Sequence, residues 1–213
     1  MDRPLSSILS APFKPQFYVA FWRSLWVFDK PLEIWWRYVF GGGAYPLTYH
    51  VRTPIGRIRA TVYSFDDVRT LVECFGKIDY PARADARLIV DVGSNIGLSA
   101  LYFLSRNDHV HVHLFEPLPA NIERLEENLK DFQGRYTLHA VAAGIEDGSA
   151  DFGWEPTGRY GGLGLTDLSG TIRVEVVDLD ERLGEIIREA GDIDVLKLDV
   201  EGMERTLLDA LTP

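Results

Sequence analysis

The sequence predicts an α/β fold, a Rossmann-like sheet with helices on both faces, and three stretches predict it. Leu88, Ile89 and Val90 form a short apolar run, as a strand buried on both faces does. The run ends in Asp91, a glycine turn follows through Gly93 and Gly97, and Ile96, Leu98, Leu101, Tyr102 and Leu104 then recur at helical spacing. The second stretch, HVHVHLFEP at 109–117, alternates as a strand and closes on Glu116. The third, IDVLKLDVEG at 193–202, reads as another buried strand, with Asp199 and Glu201 at its carboxyl end. In open α/β sheets that end faces the ligand crevice.

The elements before the sheet follow from their own signals. Segment 1–43 is an aromatic-rich helical piece, divided by Pro12, Pro15 and Pro31 into helices of about 16–28 and 32–40. Its aromatics, interleaved with Arg23 and Arg37, suit a helical lid packed on the domain; contact with a membrane surface is the less favoured alternative. Gly41, Gly42 and Gly43 break the chain. Segment 44–82 carries a β-hairpin, LTYHVR and RIRATVY about the turn 53–56, and a lead-in helix whose Val68, Leu71, Val72 and Phe75 share a face.

Segment 83–213 holds the parallel sheet. After Glu116, Pro117 and Pro119 open a helix through Ile122, Leu125, Leu129 and Phe132, ended by Gly134. YTLHAVAAG, 136–144, is expected to be the third strand, with Ala142 at its tip offering room for a flat ring. An antiparallel addition follows, with a glycine-rich loop at 158–164 as a candidate wall for a substrate. Asp178 or Asp180 caps the next helix, which runs to Gly191.

Composition bounds the function. The chain has 213 residues, 46% hydrophobic and 25% charged, as globular domains do. Its net charge of −10 argues against a nucleic-acid partner. The single cysteine, Cys74, excludes a disulfide framework and suits a reducing, cytoplasmic setting. His109, His111 and His113 alternate on one strand, yet no cysteine or further histidine completes a zinc set, so no metal is expected.

The glycine turn points to a ligand class. Its spacing is D-x-G-x-x-x-G, whereas dinucleotide-binding turns read G-x-G-x-x-G; Asn95 stands where a glycine belongs. A strand-tip carboxylate repels a pyrophosphate and suits a cofactor carrying an ammonium and a sulfonium, which is S-adenosyl-L-methionine. The turn alone is equally an ordinary βα connection. Glu116, about twenty residues further on, stands where an adenosine ribose is held, and that shifts the balance towards a ligand.

The motifs DVGSNIG, FEPLPANIERLEENL, AVAAGIEDG and KLDVEGMERTLL together resemble the FkbM family of S-adenosylmethionine-dependent methyltransferases, and the RTPIG hairpin and SFDDVRTLVECF resemble its lead-in. The resemblance implies a Rossmann-like methyltransferase that methylates hydroxyl groups of carbohydrates or natural products. It places Asp91, Gly93, Ser94, Asn95 and Gly97 around the cofactor's methionine end, Glu116 on the ribose, and Asp199 and Glu201 beside the methyl group as candidate bases, His139 being a distant second. The family's sheet continues with further strands, whereas 11 residues follow Gly202 here, so C-terminal strands are expected to be missing. An open apolar edge would then favour a homo-oligomer. Two other classes stay open: a non-catalytic cofactor-binding or assembly module, and an NAD-dependent oxidoreductase, which the glycine spacing disfavours. The expected partner is a small-molecule or saccharide acceptor, which the sequence does not identify.

Overall fold

Two helices come first, α1 (Pro15–Val27) and α2 (Pro31–Phe40), and Pro31 starts the second because the first helical position needs no N–H. The structure, a computed structural model, describes residues 15–155, 161–163, 170–200 and 202–212. Phe21, Trp35 and Tyr38 join the two helices edge to face, with ring centroids 5.4 and 5.0 Å apart. The hairpin follows as β1 (Leu47–Thr53) and β2 (Gly56–Val62), in the register Leu47↔Val62 to Thr53↔Gly56. Its inner face buries Tyr49 and Val51 of one strand and Ile58, Ala60 and Val62 of the other.

Ser64 caps α3 (Phe65–Leu71) by accepting from the Asp67 N–H at 3.2 Å, while Asp67 accepts from the Tyr63 N–H at 2.7 Å. This reciprocal pair satisfies one donor that the helix start leaves open and the N–H of the residue just before the cap. Where one continuous helix is expected, α3 widens instead into a π-helical stretch, Val72–Lys77. A Cβ on Gly76 would lie 3.0 Å from the Ser24 hydroxyl, so that glycine lets α1 pack closely here. The aromatic helices and the hairpin form one unit with the lead-in helix, where two separate segments are expected from sequence. The boundary with the second unit falls between Pro81 and Ala82.

The second unit is built on a parallel sheet of order β10-β3-β4-β5, made of β3 (Leu88–Val92), β4 (His111–Phe115), β5 (Tyr136–His139) and β10 (Val195–Leu198). All five residues of β3 are buried, as a central parallel strand requires. Helix α4 (Leu98–Leu104) follows β3, and α5 (Pro119–Leu129) follows β4. One face of the sheet buries Leu88, Val90, Val92 and Phe115 against Leu179, Leu183 and Ile186 of α6 (Leu179–Ala190) and Leu207 of α7 (Glu204–Ala210). Each such side chain contributes on the order of 1.5–3 kcal/mol. Asp178 caps α6 by accepting from the Asp180 N–H at 2.9 Å.

One expectation fails in an informative way. The third strand does not run from 136 to 144: it breaks at Ala140 and Val141. The second half, β6 (Ala142–Gly144), pairs with β9 (Gly170–Asp178) in a separate sheet that also holds β7 (Gly148–Trp154) and β8 (Gly161–Leu163), in the order β6-β9-β7-β8. The run YTLHAVAAG reads as one strand, but its hydrogen-bond partner changes from β4 to β9 midway, and only distant strands decide that. Among the described residues β10 pairs with β3 alone. None of the described helices is long and apolar enough to cross a membrane.

Candidate active site

The turn after β3 uses its own N–H groups. Gly93 and Ser94 both donate to the Phe115 carbonyl at 3.0 Å, Asn95 to Glu116 Oε2 at 2.9 Å, Ile96 to Asn95 Oδ1 at 2.7 Å, and Gly97 to the Ser94 carbonyl at 2.9 Å. Asn95 holds φ +49°, a left-handed conformation that a short polar side chain tolerates. Gly93 is required twice over: its φ is +79°, and a Cβ there would stand 2.1 Å from the Asp199 carbonyl oxygen. Gly97, at φ +80°, serves packing rather than a ligand, since a Cβ would meet Leu125 of α5 at 3.1 Å.

Two carboxylates sit at the tips of β3 and β4. Asp91 is fully buried, and both its oxygens are engaged: Lys197 Nζ donates to Oδ1 at 2.8 Å and the Ser99 hydroxyl to Oδ2 at 2.5 Å. Its role in this structure is to anchor the turn. Glu116 is also buried, and accepts from the Leu118 N–H at 3.0 Å, Asn121 Nδ2 at 3.2 Å and the Asn95 N–H at 2.9 Å. Burial pushes its carboxyl up to about 7, against these three hydrogen bonds and the charge of Lys197, which favour the ionised form.

Asp199 follows β10. Its N–H donates to the Val92 carbonyl at 3.1 Å, and its half-exposed carboxylate stands 3.7 Å from Lys197 Nζ. Glu204 steadies the next turn by accepting from the N–H groups of Val200 and Gly202. Asp91, Gly93, Ser94, Asn95, Glu116 and Asp199 thus gather at the carboxyl end of the parallel sheet. Glu201 lies outside the described residues, as does most of the loop 158–164. Ala142, as part of β6, packs with Val174 and Val176 in the second sheet's own core, while its neighbour Ala143 packs in the core of the parallel sheet.

His111 and His113 share a face of β4. His113 Nδ1 lies 3.0 Å from His139 Nε2, and His139 stacks on Phe115 with centroids 4.4 Å apart. Burial, then the neighbouring His113 and Arg182, push His139 down to about 4, so it is neutral and a weak base near pH 7. Among the described residues no three His, Cys, Asp or Glu side chains are placed to share a metal ion.

The Methyltransferase FkbM domain matches residues 91–212, more than half of the chain. The chain belongs to the FkbM methyltransferase family. Two curated relatives are similar over parts of their length. The 2-O-methyltransferase NoeI of Sinorhizobium fredii is 31% identical over 138 residues, which cover 57% of this chain and 56% of that protein. The AMB antimetabolite synthetase AmbE of Pseudomonas aeruginosa is 42% identical over 73 residues, 34% of this chain and 3% of that protein. The chain therefore spans little more than half of one relative and a small part of the other. A crystal structure of a methyltransferase FkbM from Methylobacillus flagellatus aligns with a TM-score of 0.40 at 17% identity, over 68% of this chain and 39% of that one.

In this member of the FkbM methyltransferase family the residue that sequence reasoning missed is Lys197. It is buried, pairs with Asp91, and donates to the Gly93 carbonyl at 3.1 Å. The register Lys197↔Asp91 across adjacent parallel strands brings the two together. The available signal was a lysine inside the otherwise apolar VLKL, because a lysine in a buried strand requires a partner.

Proposed function

We propose that the chain is an S-adenosylmethionine-dependent methyltransferase that methylates a hydroxyl oxygen of a carbohydrate or natural product. One observation carries the choice of cofactor. All five N–H groups of the turn 93–97 are engaged within the protein, so no nest of donors is left for a pyrophosphate. What the turn offers instead is the Glu116 carboxylate, buried beside it, and an ionised carboxylate accepts hydroxyl donors. That combination fits a nucleoside cofactor without phosphates and counts against NAD.

In this reading Glu116 holds the ribose hydroxyls. The backbone of Gly93, Ser94 and Asn95 shapes the wall at the methionine end, and Asp91 keeps that wall in place through Lys197 and Ser99. Bound there, S-adenosylmethionine would supply an electrophilic methyl on a sulfonium. The protein's main task is then to orient the acceptor, and orientation contributes several kcal/mol to such transfers. The acceptor hydroxyl must also lose its proton. Asp199, half-exposed at the same sheet end, is the described group placed to take it; Glu201 is the second candidate. An oxygen acceptor is supported by the relative whose name specifies 2-O-methyl transfer.

Titration calorimetry with S-adenosylmethionine and with NAD tests the cofactor; preference for NAD overturns it. A screen of hydroxylated sugars with labelled methyl donor tests the acceptor class. With an acceptor in hand, Asp199→Asn is expected to lower turnover by on the order of 10²-fold while cofactor affinity barely moves. Lost cofactor binding would assign Asp199 to the cofactor pocket instead.

A further inference from the structure

Seven of the ten large apolar side chains that stand exposed among the described residues belong to α1 and α2. They form two stripes at four-residue spacing, Tyr18, Trp22 and Trp26 on one helix and Leu32, Trp36 and Phe40 on the other; Trp26 and Phe40 are each 73% exposed. Water-facing helix stripes normally carry charge. The inner faces need no help from these residues: α1 buries Ala20 and Ser24, α2 buries Ile34 and Tyr38, and Phe21 with Trp35 joins the helices. The outer stripes are surplus to the unit's own core, and contiguous apolar surface of this kind marks a docking face.

Two features decide what docks. Four of the six side chains are aromatic rings with a polar atom, the type that settles where an apolar phase meets water. The charge of the unit is the second. Residues 1–81 hold 10 Lys and Arg against 7 Asp and Glu, a net +3, whereas residues 82–213 hold 12 against 25, a net −13. On the hairpin, Arg52 and Arg57 stand directly opposite one another, both exposed. Like charges in such pairs destabilise a hairpin unless an anion faces them. A symmetric dimer through the stripes would set two positive units together, whereas an anionic surface complements them.

We propose that α1 and α2 dock in the plane of an anionic lipid surface, with their aromatic stripes at the headgroup level. At 13 and 10 residues the helices fall short of the roughly 20 needed to span a bilayer, so they lie on it. The strongly negative second unit offers no attraction to the same surface, so attachment rests on the first unit.

Co-sedimentation of the whole chain with phosphatidylcholine vesicles, with and without phosphatidylglycerol, tests the proposal. Binding to the anionic vesicles is expected to be on the order of tenfold tighter, and to weaken with salt. Trp26→Glu with Trp36→Glu should abolish it, and Arg52→Glu with Arg57→Glu should remove the preference for anionic lipid. Quenching of the wild-type tryptophans by lipids brominated near the headgroup gives a readout that needs no variant. The proposal is overturned by wild-type chain that stays in the supernatant with both vesicles, or by absent quenching. Self-association in light scattering, lost in the Trp26→Glu/Trp36→Glu variant and occurring without vesicle binding, would equally overturn it in favour of a second copy of the chain.

Discussion

The tips of β3 and β4 carry the same chemical group in neighbouring positions of one sheet, and the protein treats them in opposite ways. Asp91 has a buried lysine against one oxygen and a hydroxyl against the other. Glu116 has backbone and amide donors but no cation in contact, and burial pushes its carboxyl up to about 7. A carboxylate whose charge is matched by a permanent buried cation holds structure together. One whose ionised form is disfavoured by burial gains most from a ligand that supplies donors. Two carboxylates beside one glycine turn therefore differ in the charge that accompanies them: a lysine pairs with Asp91, whereas Glu116 has neutral donors.

The largest effect separating the two carboxylates is expected at Lys197. Lys197→Met leaves Asp91 buried without its counter-charge, at a cost of about 3–5 kcal/mol in urea unfolding, and adding Asp91→Asn should recover most of it. If the double variant is as unstable as the single one, Lys197 acts through packing and the pairing is incidental. Glu116→Ala is expected to behave in the reverse manner. It should weaken S-adenosylmethionine binding by about 1–3 kcal/mol in calorimetry, with a smaller change in urea midpoint at pH 8. Unchanged affinity in the folded variant would remove Glu116 from the site.

The smallest effects are in pH. Only the ionised carboxylate accepts two hydroxyls, so affinity should fall about tenfold from pH 8 to pH 6, as the charged fraction drops below a pKa of about 7. Glu116→Gln should bind weakly with a flat profile; a sloping one would locate the titration elsewhere. Stability of the empty protein carries the opposite sign. A carboxyl raised from its ordinary 4.5 to about 7 contributes stability that is present below 4.5 and lost as pH rises through 7. His139, lowered to about 4 from 6.5, contributes stability above 6.5 that is lost as pH falls through 4. Unfolding midpoints of Glu116→Gln and His139→Phe between pH 4 and 8 should each lose one of these slopes.

Local signals in the chain made much of this visible. The strand, glycine turn and helix at 88–104, the hairpin about residues 53–56 and the cap at Asp178 each depend on neighbours within a few positions, and each stands where its residues place it. Glu116 was legible from its distance to the turn. What could not be read depends on partners far along the chain. The break at Ala140 and Val141 is set by β9, some thirty residues on, which pairs with Ala142 in the second sheet. The anchoring of Asp91 by Lys197 needs the register of β10 on β3, which no local signal around Asp91 carries.

That same ion pair has a consequence in time. Asp91 and Lys197 are 106 residues apart, and synthesis at roughly 5–20 residues per second separates their appearance by about 5–20 s. Throughout that interval the central strand carries a carboxylate whose partner has not been made. Burying it early would be costly, so the nascent chain is held back from closing its core around β3 before β10 arrives. The first 81 residues have their own contacts and are under no such delay. A ribosome stalled before residue 197 should therefore display a protease-resistant first unit and a protease-sensitive second one.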